Sequence, residues 1–304
     1  MTRAESLIAT WRDRGRDVRV LGRRIFCIDI GPRDAEPILI LHGFPSSSLD
    51  FHRVIEQLAE SHRVVLHDHL GFGLSDKPEE YSYSLFEQAE YALALWRELG
   101  ITGGNLVAHD YGTSVATEIL ARRERGRLDF APTSVTLSNG SVLIELAGLR
   151  LSQRIARSPI LGPAFERLVF AGYFKRVMRR LWGDPSSVFE QDLEAMWQGI
   201  VHRNGRLRVH QLSCYIDERY RFRERWVGAL RRLDLPALIL WARRDPVAVP
   251  AIGQGLAERI PSARLEWLDQ LGHYPMLEDP DAWAGPLLEF LRRPEAQGRV
   301  LPPG

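Results

Sequence analysis

Asn105-Leu106-Val107-Ala108-His109-Asp110-Tyr111-Gly112-Thr113-Ser114-Val115-Ala116 passes from an apolar run through small residues into a helix-forming run. It reads as a strand, a tight turn and a helix, with Asp110 at the tip. A turn this sharp strains the tip residue and presses the positions two before and two after it against a neighbouring strand or helix. Those positions must be small, and Ala108 and Gly112 are. The usual occupant of such a tip is serine; a carboxylate there changes the chemistry available.

Upstream, Asp17-Val18-Arg19-Val20-Leu21 and Arg24-Ile25-Phe26-Cys27-Ile28-Asp29-Ile30 flank Gly22 as the arms of a hairpin would. Pro37-Ile38-Leu39-Ile40-Leu41 is continuously apolar, as a parallel strand covered on both faces is. It ends in His42-Gly43-Phe44-Pro45-Ser46-Ser47-Ser48, with a helix expected through about residue 59. A strand over Arg63-Val64-Val65-Leu66-His67 follows, then the loop Leu70-Gly71-Phe72-Gly73-Leu74-Ser75-Asp76-Lys77-Pro78. Residues 84–99 have helical spacing, with Leu85, Ala89, Leu93 and Leu95-Trp96 on one face.

Downstream, Thr133-Ser134-Val135-Thr136-Leu137-Ser138-Asn139-Gly140 predicts another strand, and the alternation of strands and helices predicts a parallel, doubly wound sheet. The rhythm stops between about 142 and 232, which is helical in pattern and rich in arginine (Arg176, Arg179, Arg180, Arg219, Arg221, Arg223, Arg225), and suggests an inserted cap. Its arginines read most simply as a solvated face or as internal ion pairs, with membrane or anion binding the less favoured reading. The rhythm resumes with strand Ala237-Leu238-Ile239-Leu240-Trp241, a helix near 252–259, strand Arg264-Leu265-Glu266-Trp267-Leu268 and a last helix near 280–292. A core over 15–141 and 233–293, interrupted by a cap over 142–232, is the expected domain organisation. The tail from Arg293, with Pro302 and Pro303, reads as loose.

With 304 residues, 45% of them hydrophobic, the chain is long enough for one large α/β domain with an insertion. A net charge of +1 gives no electrostatic case for a nucleic-acid partner. Cys27 and Cys214 lie in what look like different structural units, so no disulfide framework is expected and a reducing cytoplasm fits. The segment Met1 to Arg12 lacks the apolar core of a signal peptide and reads as a short amphipathic helix; no run approaches the roughly 20 residues that span a bilayer.

Two further residues complete a constellation. Asp245, in Arg244-Asp245-Pro246, follows a predicted strand, and His273, in Leu271-Gly272-His273-Tyr274-Pro275, follows the last one. In a doubly wound sheet functional groups collect at the carboxyl ends of the strands. Nucleophile, acid and histidine occur here in that order, as Asp110, Asp245 and His273. The backbone N–H groups of Phe44 and Tyr111 are the expected oxyanion hole, since Pro45 has no N–H to donate. His67-Asp68-His69 lacks the helical spacing of a metal site and reads as loop, with His69 a candidate pocket residue. Leu70-Gly71-Phe72-Gly73 lacks the third glycine of a dinucleotide fingerprint, so neither metal nor cofactor is called for.

A carboxylate with an ordinary pKa of about 3.9 is ionised at neutral pH and attacks without a base. It suits displacement at a saturated carbon, as in an epoxide or a carbon–halogen bond. The product is an alkyl-enzyme ester, whose carbonyl carbon a water activated by His273 can attack. Ester and amide substrates are disfavoured, because attack on them would give a reactive anhydride.

At these residues the chain resembles the aspartate-nucleophile branch of the α/β-hydrolases, which contains epoxide hydrolases and haloalkane dehalogenases. More narrowly it resembles a bacterial relative of the mesoderm-specific transcript protein family. The stretches that carry this are His42-Gly43-Phe44-Pro45, Leu70 to Pro78, His109-Asp110-Tyr111-Gly112, Leu137-Ser138-Asn139-Gly140, Arg225-Trp226-Val227-Gly228-Ala229-Leu230 and His273-Tyr274-Pro275-Met276-Leu277-Glu278-Asp279-Pro280.

The resemblance implies an α/β-hydrolase fold, a mostly parallel sheet flanked by helices under a helical cap. It implies a cofactor-free hydrolase acting with water on a small apolar organic substrate. Dehalogenases hold halide with a tryptophan after the nucleophile and, in many, an asparagine after His-Gly; those places hold Tyr111 and Phe44, and a phenylalanine side chain has no polar donor. Epoxide hydrolases protonate the opening oxygen with cap tyrosines. Tyr215 is placed much like the later of these and Tyr173 is a looser match to the earlier one; a phenol remains protonated at neutral pH and can donate. Epoxide hydrolysis to a diol is therefore the leading expectation. The runner-up is haloalkane dehalogenation with Asn139 or cap residues as halide donors. A binding protein on the same fold is the reading from another class.

Overall fold

Alternate residues of one strand face different layers of this protein. In the computed structural model, which describes residues 3–293, Leu39 and Leu41 of strand β3 (Pro37–Leu41) pack into the core on one side of the sheet, and Ile38 and Ile40 into the core on the other. Strand β5 (Gly103–His109) repeats this, with Leu106 and Ala108 on the first side and Val107 on the second. A strand covered on both faces has no polar face to show, which is why these runs read as continuously apolar.

The other strands are β1 (Arg16–Val20), β2 (Arg23–Ile30), β4 (Arg63–His67), β6 (Ala131–Ser138), β7 (Ala237–Ala242) and β8 (Ala263–Leu268). They form one eight-stranded sheet in the order β1-β2-β4-β3-β5-β6-β7-β8. β1 and β2 form the expected hairpin, closed by Leu21 (φ 46°) and Gly22 (φ 80°), and β2 runs antiparallel to β4; from β4 onward every pairing is parallel. Because β3 lies between β4 and β5, the order reverses there, and the loops after β3 and β5 open a crevice at that switch point.

The helix Leu85–Glu98 begins with a capping box made by Ser84 and Glu87. The helix expected up to residue 59 is broken into a short 3-10 turn, Ser48–Phe51, and one turn of α-helix, Ile55–Ala59. Asp68 fixes the start of the segment against the loop after β4: its Oδ1 accepts from the Ser48 N–H (2.8 Å) and from Ser48 Oγ (2.6 Å).

Between β6 and β7 the chain is helical wherever it is regular, from Ile144–Leu146 to Arg223–Arg231. The last of these helices is tied to the helix Tyr111–Glu124 through Glu118, which is 1% exposed and accepts from Arg122, Arg225 and the Trp226 indole at 2.8–3.0 Å. Many of the insertion's basic groups are paired, as expected: Arg157 with Asp217, Lys175 with Glu194, Arg179 with Glu190 and Arg208 with Glu79. The N-terminal helix Arg3–Arg14 packs against the insertion's helix Glu190–Val201. Cys27 and Cys214 are free thiols. Among the described residues no helix is long and apolar enough to cross a membrane. The loose tail expected after Arg293 lies outside the described residues, as do Met1 and Thr2.

Candidate active site

Asp110 ends the β5 turn with φ 43° and ψ −108°, a conformation costly for a side chain with a Cβ. The fold holds it there from several directions. Its N–H donates to Ser138 O, and its carbonyl accepts from Thr113 N, Thr113 Oγ1 and Arg219 Nη2. Gly112 makes the close approach possible: a Cβ there would stand 2.1 Å from the carbonyl oxygen of Leu41. Gly43 faces the same constraint from the opposite loop, where a Cβ would lie 3.0 Å from that of Asp110.

The Phe44 N–H donates to Asp110 Oδ2 at 2.9 Å, so one carboxylate oxygen already occupies the position expected for an oxyanion. Tyr111 is the first residue of the helix that follows, where a backbone N–H has no partner within its own helix. Its side chain points elsewhere: it is fully buried, with its ring centroid 5.1 Å from that of Tyr215 and 5.3 Å from that of Phe72.

His273 Nδ1 and Asp245 Oδ2 are 2.6 Å apart. The Asp245 carboxylate also accepts from the N–H groups of Val247 (2.7 Å) and Ala248 (2.9 Å) and from Asn139 Nδ2 (2.8 Å). Burial opposes ionisation of Asp245, but the His273 charge and these donors outweigh it and hold its pKa below the usual carboxylate value. Burial likewise opposes charge on His273; the negative charge and hydrogen bond of Asp245, with Asp110 and Asp50 further off, win and raise it to about 9. The insertion takes part in this placement, since the His273 N–H donates to Leu181 O at 2.7 Å.

Asp110 and His273 both face an apolar cavity of about 800 Å³, counting the space that opens to solvent, together with Phe44 and Pro45. Most of its remaining wall comes from the insertion, including Phe165, Phe174, Met178, Trp197 and the expected proton donor Tyr173. Tyr215, the other expected donor, is absent from that wall. It is 2% exposed, packs beside Phe44 and Tyr111, and has the Arg219 guanidinium 4.5 Å from its ring centroid. Asn139, expected among the halide donors, is also absent from the wall; its amide nitrogen donates to Asp245 and its oxygen accepts from Ala242 N at 3.1 Å, so it supports the acid. Its positive φ of 45° suits an asparagine at the end of β6.

His69 does not line the cavity. It is fully buried beside His42, with ring centroids 4.4 Å apart, and its N–H donates to His42 Nε2 at 3.0 Å. Since His42 Nδ1 lies 2.8 Å from Gly43 O, it carries the proton and His42 is neutral, in line with a pKa pushed down to about 4 by burial. His67 is lowered to about 3 in the same way. No group of His, Cys, Asp or Glu among the described residues is arranged to hold a metal ion.

Two residues here were not singled out from the sequence. Arg219 is 1% exposed and reaches under the elbow, donating to Ser114 Oγ (2.7 Å) as well as to the Asp110 carbonyl (3.1 Å). Asp50 is buried behind the site with Ser46 Oγ 2.5 Å from its Oδ2; burial, reinforced by Asp68 and Asp110, raises its pKa well above the usual carboxylate value. Arg219 lay in a run of arginines that nothing separates locally. The only cue to Asp50 was an acid four residues after Ser46 in an otherwise uncharged stretch.

Residues 36–280 match the family described as alpha/beta hydrolase fold. LipZ of Mycobacterium tuberculosis is 43% identical over 285 residues, 93% of this chain and 98% of LipZ. The human mesoderm-specific transcript homolog protein is 36% identical over 293 residues, covering 93% of this chain and 87% of that one. Among solved structures, the haloalkane dehalogenase DbeA from Bradyrhizobium elkani superposes with a TM-score of 0.76 at 24% identity, over 91% of this chain and 98% of that one. At that identity the likeness shows the fold alone.

Proposed function

Because the chain belongs to the alpha/beta hydrolase fold family and is a hydrolase of that kind, we propose that it works through a covalent ester on Asp110, with epoxides as the favoured substrates. The observation that carries this reading is the seating of the Asp110 carboxylate at the inner end of an apolar cavity, one oxygen on the Phe44 N–H and the other free to attack.

On this route Asp110 Oδ1 attacks an epoxide carbon, the carbon–oxygen bond of the ring breaks, and the leaving oxygen takes a proton from the Tyr173 hydroxyl. His273, held by Asp245, then removes a proton from water, which attacks Cγ of the ester. The tetrahedral oxyanion is stabilised by the N–H groups of Phe44 and Tyr111. The Cγ–Oδ1 bond breaks and the diol leaves, its alkoxide taking the proton from His273; the water's second proton, left on the re-formed Asp110 carboxyl group, passes to solvent, and Tyr173 regains from solvent the one it gave up. The net reaction is epoxide plus water to diol. The charges favour this order: a resting Asp110 carboxylate helps to hold His273 protonated, and esterification removes that charge, so the first step lowers the histidine pKa and readies the base for the second.

Epoxides are preferred to haloalkanes because the side chains at the expected halide positions offer nothing to the cavity. Phe44 has no donor, the Tyr111 phenol is packed away, and the Asn139 amide is committed to Asp245. Tyr173 on the wall can protonate an alkoxide, a service that halide does not need.

The test is intact-protein mass of His273→Gln after incubation with pooled epoxides and, separately, pooled haloalkanes. An adduct on Asp110 with the epoxides alone supports the proposal; an adduct with haloalkanes alone, with halide released, replaces it by dehalogenation. No adduct from either pool in a folded preparation, or one that persists in Asp110→Asn, removes the aspartate-ester mechanism.

A further inference from the structure

The cavity over Asp110 does not end at the insertion. Arg150, Ser152, Tyr173 and Val177 are shared between its wall and an outer cleft that Leu151, Arg176 and Arg180 complete. A molecule reaching outward from Asp110 therefore passes from an apolar interior to a basic mouth.

The helix Ala171–Arg179 sorts its residues to make this gradient. Tyr173, Arg176, Val177 and Arg180 follow one another at helical spacing and line the cleft, while Lys175 and Arg179, on the adjoining face, pair with Glu194 and Glu190. Among the described residues Arg176 and Arg180 form no ion pair, nor does Arg150 across the cleft. Like charges four residues apart on a helix repel by a few tenths of a kcal/mol, and an anion between them relieves this. The neighbouring sequence supplies no such anion. From Ala147 to Gly183 there are eight basic residues and one acid, Glu166, which is buried and accepts from the His210 N–H. On a chain of net charge +1 this is a local concentration of positive charge rather than a general excess.

We propose that the substrates are amphipathic anions: an alkyl chain that lies in the apolar cavity with its reacting carbon at Asp110, and a carboxylate or phosphate at the far end that rests on Arg150, Arg176 and Arg180. The inference rests on the reading of this cavity as the substrate site. Its apolar part, walled by Phe165, Val169, Phe174, Met178, Trp197 and Ile200, discriminates by length and shape, and the guanidinium groups fix which end enters first.

The test uses three unreactive ligands of one chain length, decanoate, decyl phosphate and 1-decanol, titrated calorimetrically into the full chain. At least one anion should bind about tenfold more tightly than the alcohol, as a few solvent-exposed ion pairs would give. That advantage should vanish in the double variant Arg176→Gln/Arg180→Gln, with decanol affinity unchanged. It should also shrink as ionic strength rises from about 0.05 to about 0.5 M. Tighter binding of decanoate assigns a carboxylate, and of decyl phosphate a phosphate. Equal affinity for all three, or an anion advantage that survives in the double variant, overturns the proposal. Binding involves no chemistry at Asp110, so an anion advantage in a protein that never forms the ester overturns the mechanism alone, and ester formation without the advantage overturns this inference alone.

Discussion

His273 Nδ1 lies 2.6 Å from Asp245 Oδ2, and both side chains are withdrawn from solvent. A pair so placed makes stability depend on pH in a definite sense. His273 is raised from 6.5 to about 9 on folding, so its contribution is complete below pH 6.5 and is lost as pH climbs through 9. Asp245 is lowered from 3.8, so its contribution holds above that value and is lost on acidification. In urea denaturation the stability of the native protein relative to His273→Gln should be greatest between about pH 4 and 6.5, by up to about 3 kcal/mol, and should decline toward pH 9. A pH-independent difference would show that the histidine is not held by the acid.

Asp50 predicts the opposite slope. Its carboxyl pKa is raised by burial on folding, so it costs stability increasingly as pH rises above about 4. Asp50→Asn removes that cost with little change of shape. The variant should match the native protein near pH 4 and exceed it increasingly as pH rises toward about 8. A variant less stable at both pH values would mean that the acid is ionised and paired.

Gly112→Ala should lower stability by about 3 kcal/mol or more, because its Cβ meets the backbone of Leu41 and His42, which cannot rotate away. Gly285→Ala is the contrast: in the helix Pro280–Leu291 its Cβ would meet no residue beyond its chain neighbours, and with Pro286 next to it offsetting the helical preference of alanine the change should stay within about 1 kcal/mol. Thermal midpoints of the two variants measure both effects.

Tyr173→Phe should slow ester formation with epoxides by about 10²-fold and leave binding largely intact, the size of effect that losing a proton donor brings. Tyr215→Phe should change it less than about threefold, since that residue does not line the cavity. Single-turnover rates of the adduct, followed by mass, compare the two. Equal losses would place the proton donor in the tyrosine pair as a unit.

What could be read from the sequence was whatever local chemistry dictates. The bounds of β3 and β4 followed from apolar runs, and the turn at Asp110 from two small residues set symmetrically about it. The segment after Ser48 is two short turns rather than one helix, and its start is pinned by a bond to Asp68, 20 residues away. Asn139 and Tyr215 illustrate the same limit at the candidate site. Each has a side chain suited to the expected task, but its direction was decided by Asp245 in one case and by Phe44, Tyr111 and Arg219 in the other. Partners brought together only by the fold leave no local mark in the sequence.

The hydrogen bond from the Phe44 N–H to Asp110 Oδ2 makes the two carboxylate oxygens unequal before any substrate arrives. On the proposed route Oδ2 stays on the enzyme, Oδ1 leaves in the product, and water replaces it. Each product molecule thus carries an oxygen acquired one cycle earlier. Transferred into water enriched in oxygen-18, the enzyme should release a first product free of the isotope and label every later one, while Asp110 keeps one light atom throughout. If the carboxylate turns over between cycles, that permanence dissolves, and the isotope enters the products gradually over several rounds. One backbone donor would then give the enzyme an isotopic memory whose length measures how firmly the carboxylate is held.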